Sequence, residues 1–420
     1  MDRTLRICVI NEFFYPDMGG GSPKIVSELC RHLKDNYNVD IDVVTTWNVY
    51  RAQAEKLDGY EEWDGIRIHR LPVPRSQSRS VKRRLLHGIV YAYLAVGKVL
   101  RLRKFDLVLV GTNPPPAPAL ALAMKVLRHT PYVYFIHDLY PDLPVRLGLL
   151  RTQGRPAWIT RNLQRSWLHN AAKITVLGRC MRDHLIEAYN LPVESVEVAT
   201  NWHDNSALKS RPNETRFRTK NDITGFTVLY SGNMGTSQSI DDLLDAAKLL
   251  ITPYPDIKFV LVGSGNAYDH YKERIEKENI TNTRLLEPVE SIDYPDLLAS
   301  ADVQVIPMAA GLEGLAVPSK FYPSLASGRP ILAIASPFSE VGRVIMESGS
   351  GIRVDYADVD QIRKAIVQLH GDPTLCRKMG EEAARVADEK YTLPKVAAKY
   401  MQIFEAVLGG NEKIVSENIR

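Results

Sequence analysis

The chain has 420 residues, too many for one ordinary hydrophobic core, so two domains of roughly 200 residues each are expected. Its 45% hydrophobic and 24% charged residues are the balance of a soluble globular protein. Its four scattered cysteines (Cys8, Cys30, Cys180, Cys376) form no CxxC pair and no metal spacing with histidine, which reads as thiols in a reducing compartment.

The N-terminus, MDRTLRICVINEFF, carries charge where a signal peptide needs an apolar run, and it reads as a first strand. Short β-branched runs then alternate with helical patterns. Strands are predicted at 5–10, 41–45, 66–71, 107–110, 132–136, 174–177 and 196–199. Helices are predicted at 24–33, 85–102, 117–127, 158–169 and 182–189. Strand and helix repeated in this way give a parallel sheet with helices on both faces. Residues 205–225, NSALKSRPNETRFRTKNDITG, are polar and without a period, and read as a linker. The alternation then restarts. Strands are predicted at 227–230, 258–262, 284–286, 303–306, 331–335 and 352–354, with helices at 240–250, 269–278, 293–299, 321–327 and 360–369. The fold class is therefore α/β, with two doubly wound domains covering 1–204 and 226–393. Ligands of such sheets bind outside the carboxyl ends of the strands.

Charge is unevenly placed. Residues 1–200 hold 28 Lys and Arg against 19 Asp and Glu, and the remainder holds 25 against 30. The first half is thus the part expected to meet an anion. Nine cations and no acid lie between Arg75 and Lys104, interleaved with Leu85, Leu86, Ile89, Val90, Tyr93, Leu94 and Val96. This segment reads either as a basic amphipathic contact with a membrane surface or as a solvated helix and loop. No nucleic-acid reader motif accompanies it. No run reaches the length of a spanning helix, about 18 unbroken apolar residues.

Several strand ends carry chemistry-bearing residues. After the first strand, NEFFYPDMGGGS places Gly19, Gly20 and Gly21 before a helix that starts near Pro23, a favourable place for a phosphate or a plain turn. His137 and Asp138 follow the strand at 132–136, with Asp142 beyond Pro141. There a histidine can donate to a hydroxyl or phosphate oxygen and a carboxylate can accept a proton, or the pair simply closes a turn. Asn113 follows the strand at 107–110 and shapes the same wall. In the second half, YSGNMG holds Asn233 and leads to Gln238, and VGSG holds Gly263 and Gly265. The segment GLEGLAVPSKFYPSLASGRP carries Glu313, Val317, Ser319 and Lys320. Ser319 is expected to cap the following helix. A lysine in the first turn opposes the helix dipole unless an anion is bound there, which favours a diphosphate.

In their order and spacing these motifs resemble the retaining GT-B glycosyltransferases of family 4, over almost the whole chain. The resemblance implies two Rossmann-like domains facing a cleft. The first would bind the acceptor and the second a nucleotide sugar, with no required metal and no other cofactor. It also implies a last helix, within 394–410, that crosses back to the first domain. Gly20 matches the glycine that approaches the donor phosphates, with Gly19 expected at the donor beside it, and His137 matches the histidine near the transferred sugar. Asn233 and Gln238 stand where relatives carry an arginine and a lysine on the diphosphate, so Lys320 and Ser319 are expected to compensate. Glu313 resembles the first of a paired glutamate motif, at an unusual spacing, and the second falls on Pro323. Val289 and Asp293 lie near the expected base loop. Asp138, Asp142 and Asn113 are expected on the acceptor side.

The expected reaction is transfer of a hexosyl group from a UDP-sugar, on the cytoplasmic side of the membrane, to a saccharide or a polyprenyl-diphosphate-linked acceptor in cell-surface polysaccharide synthesis. Three rivals share parts of the pattern: a nucleotide-sugar epimerase, a nicotinamide oxidoreductase and a two-domain solute-binding protein. The second lacks GxGxxG and the third lacks an export signal.

Overall fold

The computed structural model describes residues 4–18, 21–48, 57–73, 81–148, 155–203, 208, 215–235, 238 and 240–409; of residues 81–85, 87 and 155–157 it describes the backbone alone. The chain divides into two compact units, one of Met1–Thr200 with Leu393–Arg420 and the other of Asn201–Thr392.

Unit 1 is built on β1 (Leu5–Ile10), β2 (Val39–Thr46), β3 (Tyr60–Trp63), β4 (Ile66–Leu71), β5 (Leu107–Gly111), β6 (Tyr132–Ile136), β7 (Lys173–Val176) and β8 (Val196–Val198). Their order across the sheet is β3-β4-β2-β1-β5-β6-β7-β8. All pairs are parallel except β3 with β4. The parallel strands are Val-, Ile- and Leu-rich because helices cover both faces and every other residue cannot be left to water. The sequence reading missed β3. It is a hairpin closed by Asp64 and Gly65, both at positive φ, which is the two-residue turn whose twist matches that of paired strands.

Helix α1 (Gly21–Asn36) links β1 to β2 and packs with the last helix described, Leu393–Leu408. Tyr400 and Phe404 of that helix are buried, and Tyr400 Oη lies 3.3 Å from Thr175 Oγ1 of β7. The connection from β4 to β5 runs the other way along the sheet. Right-handed crossovers therefore place α2 (Val81–Val99), α3 (Ala117–Arg128) and α5 (Arg155–Asn170) on the opposite face, where α2 neighbours α3 and α3 neighbours α5. A short α4 (Asp142–Arg146) precedes α5, and α6 (Arg179–Tyr189) links β7 to β8.

One buried carboxylate organises the β2 end of this sheet. Asp42 accepts from Arg67, from Arg103 and from His69 Nε2 at 2.9 Å, and Asp40 pairs with both arginines. Arg103, one of the nine cations of the 75–104 segment, is thus consumed inside the unit. Arg75 and Arg79 lie outside the described residues.

Unit 2 holds β9 (Phe226–Asn233), β10 (Ile257–Ser264), β11 (Thr283–Leu286), β12 (Val303–Pro307), β13 (Ile331–Ile334) and β14 (Gly351–Val354), all parallel, in the order β11-β10-β9-β12-β13-β14. Numbered within the unit this is 3-2-1-4-5-6, the order of the dinucleotide-binding fold. Phe259, Leu261, Val228, Leu243 and Ile366 fill its core with essentially no exposure. Each such side chain contributes about 1.5–3 kcal/mol by leaving water. Short helices α7 (Arg216–Lys220), α8 (Ile240–Leu250), α9 (Tyr268–Lys277), α10 (Tyr294–Ala299) and α11 (Phe321–Ala326) are followed by α12 (Glu340–Ser348), α13 (Val359–Gly371) and α14 (Pro373–Lys390).

Candidate functional site

In unit 2 the sheet order places β9 beside β12, and the chain leaves those two strands in opposite directions. A crevice opens at such a reversal, outside the carboxyl ends. The residues at these ends are Asn233, which closes β9, Met234 and Gly235 after it, and the loop from Met308 to Lys320 after β12. Lys320 Nζ donates to Tyr230 Oη at 2.6 Å and lies 3.9 Å from that ring's centroid. Tyr230 Oη in turn donates to the Asn233 carbonyl at 2.5 Å. The lysine stem lies across Gly232. A Cβ at that residue would stand 3.0 Å from Nζ, and its φ of +145° is one that L side chains rarely adopt. Burial holds the Lys320 ammonium down at about 7 and pushes the Tyr230 hydroxyl well up. A cation in so dry a place gains most when an anion arrives.

The other expected residues of this unit fall around the same strand ends. Asn233 is exposed. Gln238 uses its Oε1 to accept from the Gly235 amide at 3.2 Å, closing the turn. Gly263 and Gly265 meet backbone. A Cβ on Gly263 would stand 1.8 Å from the Gly232 carbonyl oxygen, and one on Gly265 would stand 2.3 Å from that of Met234. Both glycines let the β10 loop lie against the β9 loop. Val317 is buried, while Val289 is half-buried in the loop after β11. Ser319 is not the helix cap that the sequence suggested. It is exposed, Lys320 occupies the cap position without a side-chain capping bond, and the turn is closed by the Phe321 amide donating to the Pro318 carbonyl at 3.0 Å.

Glu313 is half-buried and accepts a hydrogen bond from the hydroxyl of Tyr356, which follows β14. Sequence reasoning did not find Tyr356, because nothing in a lone tyrosine 43 residues downstream signals that partner. It also missed Tyr230, which had been read as an ordinary strand residue.

In unit 1, Asn113 links two strand ends, its carbonyl accepting from the Glu12 amide at 2.8 Å. His137 and Asp138 stand at the carboxyl end of β6, both half-buried, with the His137 ring centroid 5.2 Å from that of Phe135. Burial lowers the imidazole to about 4 and raises the Asp138 carboxyl to about 6. The histidine is therefore neutral at pH 7, with one nitrogen to donate and one to accept. Asp142 departs from the sequence expectation. It is buried, its Oδ2 accepts from Tyr189 Oη at 2.5 Å, and its Oδ1 accepts from Arg161 at 3.0 Å. Each oxygen thus holds a bond inside the unit, a structural role that the sequence did not signal. Gly19 and Gly20 lie outside the described residues.

Among the described residues no group of three or more His, Cys, Asp or Glu is placed to hold a metal ion, and no helix is long and apolar enough to cross a membrane.

Comparison with known proteins agrees with this architecture. Residues 20–202 match the glycosyl transferase 4-like domain, and residues 213–386 match the glycosyl transferases group 1. WbjE of Pseudomonas aeruginosa, named as a glycosyltransferase, is 30% identical over 284 residues, 66% of this chain and 70% of its own. WcaI of Escherichia coli K12, named as a colanic acid biosynthesis glycosyl transferase, is 25% identical over 328 residues, 74% of this chain and 79% of its own. Among solved structures, sucrose-phosphate synthase from Thermosynechococcus elongatus has a TM-score of 0.77 at 14% identity, covering 97% of this chain and 100% of that one. HepE of Anabaena in complex with UDP-glucose has a TM-score of 0.72 at 13% identity, covering 96% and 100%. These matches set aside the epimerase, oxidoreductase and solute-binding readings. The chain belongs to the group 1 glycosyltransferases, with a glycosyl transferase 4-like first half and the GT-B fold of two Rossmann-like domains.

Proposed function

We propose that this glycosyltransferase moves a sugar from a UDP-sugar to a lipid-linked or saccharide acceptor in cell-surface polysaccharide assembly, on the cytoplasmic side, with retained anomeric configuration and without a metal ion. The observation that carries the donor half of this reading is Lys320, a desolvated cation lying on Tyr230 at the strand reversal of unit 2. Among the described residues of 226–235 and 308–320, Lys320 is the one Lys or Arg, while Asn233 and Gln238 stand where relatives carry an arginine and a lysine. HepE was solved with UDP-glucose, and WcaI is named for colanic acid; both support the reading.

In this reading unit 2 holds the nucleotide. Lys320, with Ser319 and Asn233 beside it, meets the diphosphate as negative charge grows on the leaving group. A preorganised donor aimed at such charge is typically worth about 3–4 kcal/mol. Glu313, fixed by Tyr356, orients sugar hydroxyls, and Val289 and Val317 border the base and ribose. The family resemblance assigns Gly19 and Gly20, which lie outside the described residues, to the donor phosphates and His137, neutral at pH 7, to the transferred sugar. The bond between the anomeric carbon and the phosphate oxygen breaks, and one to the acceptor oxygen forms. Asp138, whose carboxyl is ionised above about pH 6, accepts the hydroxyl proton, and Asn113 is assigned to the acceptor as well.

A thermal-shift series with UDP, GDP, ADP and their sugars, followed by transfer of radiolabel from the stabilising donor, tests this. Stabilisation by a UDP-sugar, transfer undiminished by a chelator, and loss of transfer in Lys320→Ala and His137→Ala are expected. Full transfer by both variants would overturn the assignment.

A further inference from the structure

Residues 65–182 contain 21 Lys and Arg against three acids, Asp106, Asp138 and Asp142. Asp142 is tied to Arg161 and Tyr189, and Asp106 accepts from the Arg6 amide. Helices α2, α3 and α5 all come from this stretch. They neighbour one another on one face of the unit 1 sheet, and no acid occurs in any of them.

Each of these helices also leaves apolar side chains outside. Helix α2 has two apolar stripes. Tyr91, Ala95 and Val99 recur every four residues and are buried. Leu86, Ile89 and Tyr93 recur at i, i+3 and i+7 on the opposite side and are exposed, Tyr93 by 80%. Helix α5 repeats the arrangement, with Gln164 and Leu168 buried and Trp158, Ile159 and Leu163 exposed, Trp158 by 69%. Helix α3 adds Val126 and Leu127. These eight are more than half of the fifteen large apolar side chains exposed among the described residues, gathered on three adjacent helices. Arg165 on α5, and Arg101 and Lys104 just beyond α2, stand exposed beside them.

A nucleic acid would satisfy the cations and leave the aliphatic side chains in water. An anionic bilayer takes both: apolar groups and an aromatic ring enter the headgroup boundary, and Lys and Arg meet lipid phosphates. We propose that the outward face of α2, α3 and α5 is a docking surface for an anionic lipid bilayer. This surface differs from the 75–104 segment, since it draws on α3 and α5 and excludes Arg103. It stands independently of which sugar or acceptor the enzyme uses.

Flotation of the full chain with vesicles of phosphatidylcholine alone, and of phosphatidylcholine with an equal share of phosphatidylglycerol, tests it. Binding is expected to the second composition and to fall with salt. Arg101→Glu and Arg165→Glu are each expected to weaken partitioning about fivefold or more, since each cation near such a surface contributes about 1 kcal/mol. Trp158→Ser with Ile159→Ser is expected to weaken it about tenfold or more. All these positions are solvent-exposed, so circular dichroism and thermal unfolding should match the parent chain. Absence of binding, or equal binding to both compositions, would overturn the proposal. So would a concentration-dependent dimer abolished by the same substitutions, which would make the face a contact between copies.

Discussion

Lys320 Nζ lies 2.6 Å from Tyr230 Oη and 3.9 Å from the centroid of the same ring, so one phenol supplies both an oxygen acceptor and a π face to one ammonium. Burial still leaves this ammonium near 7, well below a free lysine. It is only partly charged at neutral pH, and a diphosphate arriving beside it would draw a proton onto it.

Donor-nucleotide affinity should therefore fall as pH rises through 7 and beyond. Calorimetry above neutrality in buffers of different ionisation enthalpy should show proton uptake on binding, and Lys320→Ala should abolish it while lowering turnover about 100-fold or more. Tyr230→Phe keeps the ring and removes the oxygen, so the midpoint should move down. In the unliganded chain the sign for stability is opposite. The unfolded lysine keeps its proton up to about 10.4. It binds more protons than the folded one from about 7 upward, so this residue makes stability rise with pH across that window. Thermal unfolding of Lys320→Met should lack that slope.

His137 and Asp138 pull stability in opposite directions. The folded imidazole, lowered to about 4, binds fewer protons than the unfolded one, so its contribution is lost as pH falls from about 6.5 toward 4. The folded Asp138 carboxyl, raised to about 6, binds more, so its contribution is present in acid and lost as pH rises through 6. Asp138→Asn should stabilise the chain at pH 7. It should also lower transfer sharply and leave the residual rate without an acid limb centred near 6, as read from initial rates across pH.

Asp142→Ala should destabilise unit 1 without touching the chemistry directly. It strands the largely buried Tyr189 hydroxyl, an uncompensated polar group worth about 1–3 kcal/mol. Arg161 is mostly exposed and adds little. A lower unfolding temperature with KM for acceptor unchanged is expected; an acceptor KM that rises at full stability would return Asp142 to the site.

Gly263→Ala should lower the stability of unit 2 by about 1–3 kcal/mol, because it forces an L side chain to φ +157° against the Gly232 carbonyl. Since Gly232 lies under Lys320, nucleotide affinity should fall with it. Chemical denaturation and nucleotide titration read the two effects separately.

Tyr356→Phe should raise donor KM several-fold while unfolding temperature barely moves, since it frees Glu313 and leaves the ring in place. The same substitution in a Glu313→Gln background should have a smaller effect, as for two groups acting through one contact.

Much of this was legible in the sequence for a simple reason. Parallel strands covered on both faces must be continuous apolar runs, and Leu5–Ile10, Ile66–Leu71 and Tyr132–Ile136 announce themselves as such. Strand β3 did not, because its residues alternate between exposed and half-buried at a sheet edge; its signal was the Asp64-Gly65 turn. Helix α12 carried Ser339 at its start and Gly349 at its end, both good caps, yet it escaped the reading. Candidate positions were legible where a strand end carries them, as for His137 and Lys320. Their partners were hidden, because the pairing joins residues distant in the chain. Tyr356 with Glu313, Tyr230 with Lys320 and Arg103 with Asp42 are facts of tertiary contact, and composition gives no hint of them.

The return of Leu393–Leu408 to unit 1 has a consequence for biosynthesis. Unit 2 is one uninterrupted stretch, whereas unit 1 is assembled from both sides of it. On the ribosome, the earlier-made sheet must wait with Thr175 and the α1 face uncovered until Tyr400 and Phe404 emerge, so the half synthesised first is the half completed last.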